Sequence, residues 1–248
     1  MKTYGIIPSR FGSSRFPGKP LAMLAGKPLV AWVVEAVKKA KSLDEVFVAT
    51  DDERIVKAVE EYGGVAVMTP SELPSGTDRI ACAARNRFGG DFGDDDILVN
   101  IQGDEPLIDP KLIDELVAKL KDGKGFEMAT AVTPIKSAAD YMAKTVVKVV
   151  LDRDDGALYF SRAPIPCDRD HEPDLSSGLY VRHLGIYAYR YKTLKELIQL
   201  QPSFLEQSEK LEQLRWLENN YDIYTASCNY QGIGIDTPED LIKVTSLQ

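Results

Sequence analysis

Arg10, Arg15 and Lys19 place three cations within residues 7–21, directly after a short apolar run. Cations at that density suit the oxygens of a nucleoside triphosphate, because Arg presents forked donors and Lys a compact charge. Gly12 and Gly18 would let the chain turn tightly and bring backbone N–H groups close to phosphate. Pro17 and Pro20 stiffen the segment, which a merely solvated basic loop does not need. Two better-known phosphate loops fail on spacing. A Walker A loop carries four residues between its glycines and a hydroxyl after its Lys, whereas here five separate Gly12 from Gly18 and Pro20 follows Lys19. The dinucleotide fingerprint is missing from this first turn, and Gly232-Ile233-Gly234 is a lone G-x-G that reads as a strand end.

Carboxylates are the second requirement of phosphate chemistry. In Gln102-Gly103-Asp104-Glu105-Pro106, Pro106 biases Glu105 towards extended geometry, and an extended run puts Gln102 and Asp104 on one face. Beside a triphosphate, Asp104 reads as a magnesium ligand, since Mg²⁺ takes one or two carboxylates together with phosphates. It reads equally well as a turn former. Asp236 has the same two readings, a metal carboxylate or a helix-start residue before Thr237-Pro238-Glu239-Asp240. The segment from Thr69-Pro70 through Ser75-Gly76-Thr77-Asp78-Arg79 joins a strand to a helix and suits a loop that meets the edge of a base, with Thr77 as an ordinary helix cap the alternative. His171 and His183 are the only histidines, and neither falls in a nucleophile triad pattern.

The elements that position these groups follow from patterning. Residues 3–8 read as a buried strand, and Pro28 opens a helix with Leu29, Trp32, Val33, Ala36 and Val37 inward. A strand at 46–49 leads to a helix that Asp51 can cap, with Ile55, Val59 and Tyr62 on one face. A strand near 65–68, a helix from 77 to 88, a strand at 96–101 and a helix from Asp109-Pro110 to Gly123 complete a regular alternation. That alternation implies an α/β fold with a mostly parallel sheet covered on both faces and a ligand crevice beyond the carboxyl ends of its strands. After about residue 126 strand-like runs at 128–132, 146–151 and 182–190 crowd together. They imply a smaller mixed sheet region, followed by a helix at 204–219 whose packed side carries Leu211, Leu214 and Leu217. The expectation is one domain over 1–248, with a sub-region roughly within 126–220.

Composition narrows the class. With 44% hydrophobic residues the chain can bury a large core, and a net charge of −8 disfavours a nucleic-acid wrapper. Cys82, Cys167 and Cys228 lie far apart with no C-x-x-C, which suits reduced thiols and offers no zinc site. The first residues are too short an apolar run for a signal peptide, and no later run approaches a membrane span, so a soluble cytoplasmic protein is expected.

Seven segments, in order, carry a resemblance. They are residues 8–21, Ser75-Gly76-Thr77-Asp78-Arg79, Gln102-Gly103-Asp104-Glu105-Pro106, Leu158-Tyr159-Phe160-Ser161-Arg162, Arg182-His183-Leu184-Gly185-Ile186-Tyr187, Leu211-Glu212-Gln213-Leu214-Arg215 and Asp236-Thr237-Pro238-Glu239-Asp240. Over nearly the whole chain this set resembles the bacterial 3-deoxy-manno-octulosonate (Kdo) cytidylyltransferases, or CMP-Kdo synthetases. Ser9 is a departure, since the family more often has Ala there.

The resemblance implies a Rossmann-like nucleotidyltransferase fold and a homodimer. It implies transfer of CMP from CTP to Kdo with Mg²⁺, releasing pyrophosphate, for lipopolysaccharide synthesis. By matching position, Pro8, Ser9, Arg10, Gly12, Ser13, Arg15 and Lys19 would line the triphosphate, with Arg10 and Lys19 catalytic. Ser75, Gly76, Arg79 and Gln102 would meet the rest of the nucleotide, and Asp104 and Asp236 would bind magnesium. Gln102, Arg162, His183, Tyr187, Glu212 and Gln213 would surround the acid sugar. Taken alone, His183 reads as a core or surface histidine, Arg162 as a surface arginine, and Glu212 and Gln213 as residues facing ligand or water. An 8-amino Kdo or a sialic-type acid is the alternative acceptor. A nucleotide-binding regulatory protein without turnover is the alternative class.

Overall fold

The computed structural model describes residues 1–12, 16–89, 92–122, 124–232 and 234–245. Ser13, Arg15, Gly123 and Ile233 therefore lie outside the described residues.

Strand β1 (Thr3–Ser9) is buried over nearly its whole length. A tight turn at Lys19–Leu21 follows, then β2 (Met23–Leu24) and β3 (Lys27–Pro28) pair as a short antiparallel ribbon. Helix α1 (Leu29–Val37) has Pro28 in its cap position and buries most of its apolar residues. β4 (Glu45–Thr50) leads to α2 (Glu53–Glu61). Here the cap is Asp52, which accepts from the Arg54 N–H, and the expectation for Asp51 is corrected. β5 (Ala66–Met68) runs to α3 (Gly76–Phe88), capped by Ser75 through the Asp78 N–H rather than by Thr77. β6 (Ile97–Asn100) and α4 (Pro110–Lys121), capped by Asp109, complete the alternating half as its patterning implies.

β7 (Met128–Pro134), α5 (Ala138–Met142), β8 (Lys148–Leu151), β9 (Ala157–Ser161) and β10 (Val181–Arg190) follow. Then come α6 (Tyr191–Leu197), α7 (Phe204–Glu209), α8 (Gln213–Glu218), β11 (Tyr224–Ser227) and α9 (Pro238–Thr245). The continuous helix expected over 204–219 is two helices. Ser203 and Glu206 form a capping box that starts α7, and Lys210, at φ 55°, ends it in the left-handed conformation.

Among the described residues nine strands form one sheet, ordered β11-β7-β10-β6-β1-β4-β5, with β8 and β9 branching from β10. β1, β4, β5 and β6 run parallel, and β11 runs parallel to β7. β10 lies antiparallel to both β6 and β7, with a register shift between Leu184 and Tyr187. The smaller mixed region is thus an arm of the main sheet. Alternation along each central strand feeds two cores. Ile7, Val48 and Val99 pack with α1, α2 and α4, whereas Ile6, Phe47 and Leu98 pack with α3, α6 and α8. No helix among the described residues is long and apolar enough to cross a membrane.

Candidate active site

β1 and β4 end side by side at Ser9 and Thr50, and the parallel β6 ends at Asn100 opposite Ile6, so the residues that follow all three lie at one edge of the sheet. Ser9 is buried with no hydrogen-bond partner for its Oγ among the described residues, and Arg10 emerges exposed. The loop closes when the Gly18 N–H donates to the Phe11 carbonyl at 3.0 Å. Gly18 stands at φ 71° against the Phe11 ring, a conformation that disfavours a side chain, so glycine is required here. Gly12 is not so constrained, and a Cβ there would meet nothing within 4 Å.

Lys19 opens the turn that follows. Its Nζ donates to Asp104 Oδ2 at 2.8 Å and to Asp236 Oδ1 at 3.2 Å, bringing together residues 85 and 217 positions away. Asp104 reaches this point because the chain after β6 passes beneath β1. A Cβ at Gly103 would lie 2.8 Å from the Pro8 carbonyl oxygen. Asp236 is delivered by Ile235, which is buried against Leu24, Leu29 and Val244 and whose N–H donates to the Asp104 carbonyl at 2.9 Å. The helix-start duty falls to Asp240, whose Oδ2 accepts from the N–H groups of Asp236 and Thr237, and this leaves the Asp236 carboxylate to face Lys19. The strand end expected at 232–234 is absent from the described residues there.

Two adjoining hollows of about 200 and 250 Å³ share Pro8, Ser9, Arg10 and Gln102. The second continues over Lys19, Asp104 and Asp236, and the first over Leu73, Pro74, Ser75, Gly76 and Arg79. Leu73 and Pro74 fall within the loop expected over residues 69–79 but were not singled out in it, because nothing in their chemistry marks them. Only the closeness of Pro74 to Ser75 could have done so. Arg79 is 3% exposed, donating to Thr69 Oγ1 at 2.6 Å and Asp51 Oδ2 at 3.3 Å, so it borders the hollow as a buried, paired cation.

On the other side of Gln102, whose Nε2 donates to the Gly185 carbonyl at 2.6 Å, lies a neutral, aromatic group. His183 Nε2 is 2.9 Å from Thr130 Oγ1, and its ring lies 5.3 Å from that of Tyr187 and 5.1 Å from that of Phe160. Burial pushes the imidazole down to about 3, so it is neutral near pH 7. Tyr187 packs edge-on to Trp216 of α8, and burial raises its hydroxyl well above the usual tyrosine range. Glu212 Oε2 accepts from Thr77 Oγ1 at 2.7 Å. Burial raises this carboxyl, and the bond from Thr77 opposes the rise. Gln213 is 5% exposed, and its Nε2 has no hydrogen-bond partner among the described residues. The inward side of α8 therefore includes Gln213, which the leucine stripe had left to face ligand or water.

Arg162 behaves differently. Its guanidinium donates to the carbonyls of Glu209 at 2.8 Å, Lys144 at 2.9 Å and Lys210 at 3.4 Å, and it lines neither hollow. The last carbonyls of α7 lack donors within the helix, and Arg162 supplies them. Its expected place beside the acid sugar is not what this conformation provides.

Among the described residues no group of three or more His, Cys, Asp or Glu side chains is arranged for a metal. Two carboxylates converging on one ammonium, in a hollow that Arg10 also lines, do fit Mg²⁺ completed by phosphate oxygens.

The sequence profile of the family described as Cytidylyltransferase matches residues 4–223. A 3-deoxy-manno-octulosonate cytidylyltransferase of Geotalea daltonii is 47% identical over 251 aligned residues, covering 98% of this chain and 97% of that protein. The chain belongs to the 3-deoxy-manno-octulosonate cytidylyltransferase family. Another member, from Syntrophobacter fumaroxidans, is 49% identical over 98% of this chain and 96% of its own. A solved structure of CMP:2-keto-3-deoxy-manno-octonic acid synthetase complexed with CTP matches with a TM-score of 0.90 at 41% identity, covering 100% of this chain and 98% of that one. The 4-diphosphocytidyl-2C-methyl-D-erythritol synthase of Anaerococcus prevotii shares the fold alone, at a TM-score of 0.61 and 14% identity.

Proposed function

We propose that this chain transfers CMP from CTP to the anomeric hydroxyl of Kdo, releasing pyrophosphate. The convergence of Lys19, Asp104 and Asp236 in a hollow shared with Arg10 is the observation that carries the reading. The acceptor oxygen attacks the α-phosphorus, the bond to the α,β-bridging oxygen breaks, and the hydroxyl proton leaves to solvent. Arg10 and Lys19 hold the phosphate oxygens, on which charge builds during the attack. Asp104 and Asp236 would hold Mg²⁺, which when bound supplies charge neutralisation at phosphate and a lowered pKa for the attacking hydroxyl. Ser75, Gly76 and the Arg79 edge face the nucleoside, and Gln102, His183, Tyr187, Glu212 and Gln213 face the acceptor. With the histidine neutral, no side-chain base is assigned.

The acceptor groups other than Gln102 fall within 126–220, which supports treating that stretch as the acceptor sub-region of one domain. The reading extends to a cytoplasmic homodimer whose product serves lipopolysaccharide synthesis. Phe204, 81% exposed, and Leu158, 60% exposed, support a homodimer, and sedimentation velocity tests it. Pyrophosphate release with each of the four nucleoside triphosphates, against Kdo, its 8-amino analogue and a sialic acid, tests the reaction. CTP with Kdo should give the highest kcat/KM. A clear preference for another pair would replace the substrate assignment, and no turnover with any pair would favour a regulatory protein.

A further inference from the structure

Asp51 follows directly on β4, whose last residue, Thr50, lies opposite Ser9 of β1. That register sets the Asp51 carboxylate between two parts of the nucleotide cleft. Its Oδ1 accepts from the Phe11 N–H at 3.1 Å, and its Oδ2 accepts from Arg79 Nη2 at 3.3 Å. The side chain is 12% exposed and that of Arg79 3%. Phe11 is the residue that closes the phosphate loop. Its carbonyl takes the Gly18 N–H, and its ring lies against Gly18 and beneath the Arg54 guanidinium, 3.6 Å from the ring centre. Arg54 is in turn fixed by both carboxylate oxygens of Asp52, at 2.9 and 2.6 Å. The adjacent acids thus divide the work. Asp52 caps α2 and aims Arg54, while Asp51 ties the phosphate loop to Arg79.

We propose that Asp51 is a positioning residue for the nucleotide, holding the phosphate loop through Phe11 and the base-side Arg79 at a fixed separation. The proposal rests on the nucleotide assignment of the cleft made above. A buried arginine requires a counter-charge, and any nearby carboxylate would meet that need. Only one that also holds the Phe11 N–H couples the two halves of the cleft, so its loss should act on CTP and spare the acceptor, whose groups other than Gln102 lie on β10 and at the start of α8.

Steady-state kinetics on Asp51→Asn, which keeps an acceptor for Phe11 but removes the charge, provide the test. The KM for CTP should rise tenfold or more while the KM for Kdo at saturating CTP stays within twofold, and Asp51→Glu should recover part of the loss. An unchanged KM for CTP, or equal rises in both KM values, would overturn the proposal. Should Asp51→Asn fail to fold, Arg54→Met decides, since its side chain is 60% exposed. A threefold rise in the KM for CTP at unchanged melting temperature supports a fixed Phe11 as the route by which Asp51 acts on the nucleotide, and no rise refutes it. Lys19→Ala separates the two levels. If it leaves CTP binding intact, the nucleotide assignment itself fails. If it weakens CTP binding and the Asp51 and Arg54 variants do not, only the role of Asp51 falls.

Discussion

The two ends of the cleft solve opposite electrostatic problems. At the phosphate end Lys19, Asp104 and Asp236 keep side-chain exposures of 16%, 25% and 45%, so charges of both signs stay close to water. At the acceptor end His183 and Tyr187 are held neutral by burial, and the Glu212 carboxyl is raised. A triphosphate brings its own charge and needs partners that are ionised before it arrives. In the proposed reading the acceptor end would instead orient a sugar by neutral hydrogen bonds, which discriminate strongly because an unmatched buried polar group is costly. Arg162, the cation expected there, is spent on backbone carbonyls. The contrast therefore predicts that substitutions at the phosphate end act on turnover, and those at the acceptor end on specificity and stability.

The sharpest way to break that division is Asp104→Asn. It should retain CTP binding and lower kcat by about 10³-fold at saturating Mg²⁺, the upper end for removing one electrostatic transition-state contact. Unchanged turnover would remove Asp104 from the metal site. Lys19→Ala should follow, with kcat/KM for CTP down about 10²-fold. Near-wild-type kinetics would dissolve the phosphate end as described.

The acceptor end has a pH signature. His183 is held below its ordinary value in the folded protein, so between pH 6.5 and about 3 the unfolded chain binds a proton that the folded chain does not. Stability is then complete above pH 6.5 and lost as pH falls through that window, by roughly 2–3 kcal/mol between pH 7 and 4.5. Urea midpoints measured across that range should fall in the wild type and flatten in His183→Gln. Equal slopes would mean that the imidazole titrates freely.

These contrasts were unevenly legible in the sequence. The cation spacing of residues 10–19 and the cap at Asp109 were readable because both obey local rules. Patterning alone makes Asp51 the cap with Asp52 in the first turn, because adjacent aspartates leave the first helical residue open by one position; the helix starts at Glu53 and Asp52 is the cap. What decides is the pairing of β1 with β4, which brings Phe11 to Asp51. The break at Lys210 left no mark, because a lysine in the left-handed conformation replaces the glycine that usually signals a helix end, and the leucine spacing runs on past it. Burial of Gln213 was hidden for the same reason, as the break resets which face of α8 turns inward. Asp104 and Asp236 each had two readings locally, and only their meeting at Lys19 separates them.

Thr77 tests whether the two ends are mechanically joined. Its hydroxyl on the first turn of α3 bonds Glu212, one residue after the Gly76 that lines the nucleotide hollow. Thr77→Val removes that bond from a buried carboxylate, a loss worth about 1–3 kcal/mol. The KM for Kdo should rise about fivefold or more, with CTP binding changed less. If CTP binding suffers equally, the link serves the α3 loop and says nothing of the acceptor.

Arg162→Met should have the smallest effect on kinetics. If its guanidinium serves the carbonyls of Lys144, Glu209 and Lys210, the substitution unties the α7–β9 junction, costing about 1–3 kcal/mol of stability and moving the KM for Kdo less than threefold. If the arginine leaves those carbonyls to meet the sugar carboxylate, that KM rises tenfold or more at nearly unchanged stability. The second outcome would give the acceptor end a cation after all, recruited by closure on the substrate, and the contrast between the two ends would hold only for the open cleft.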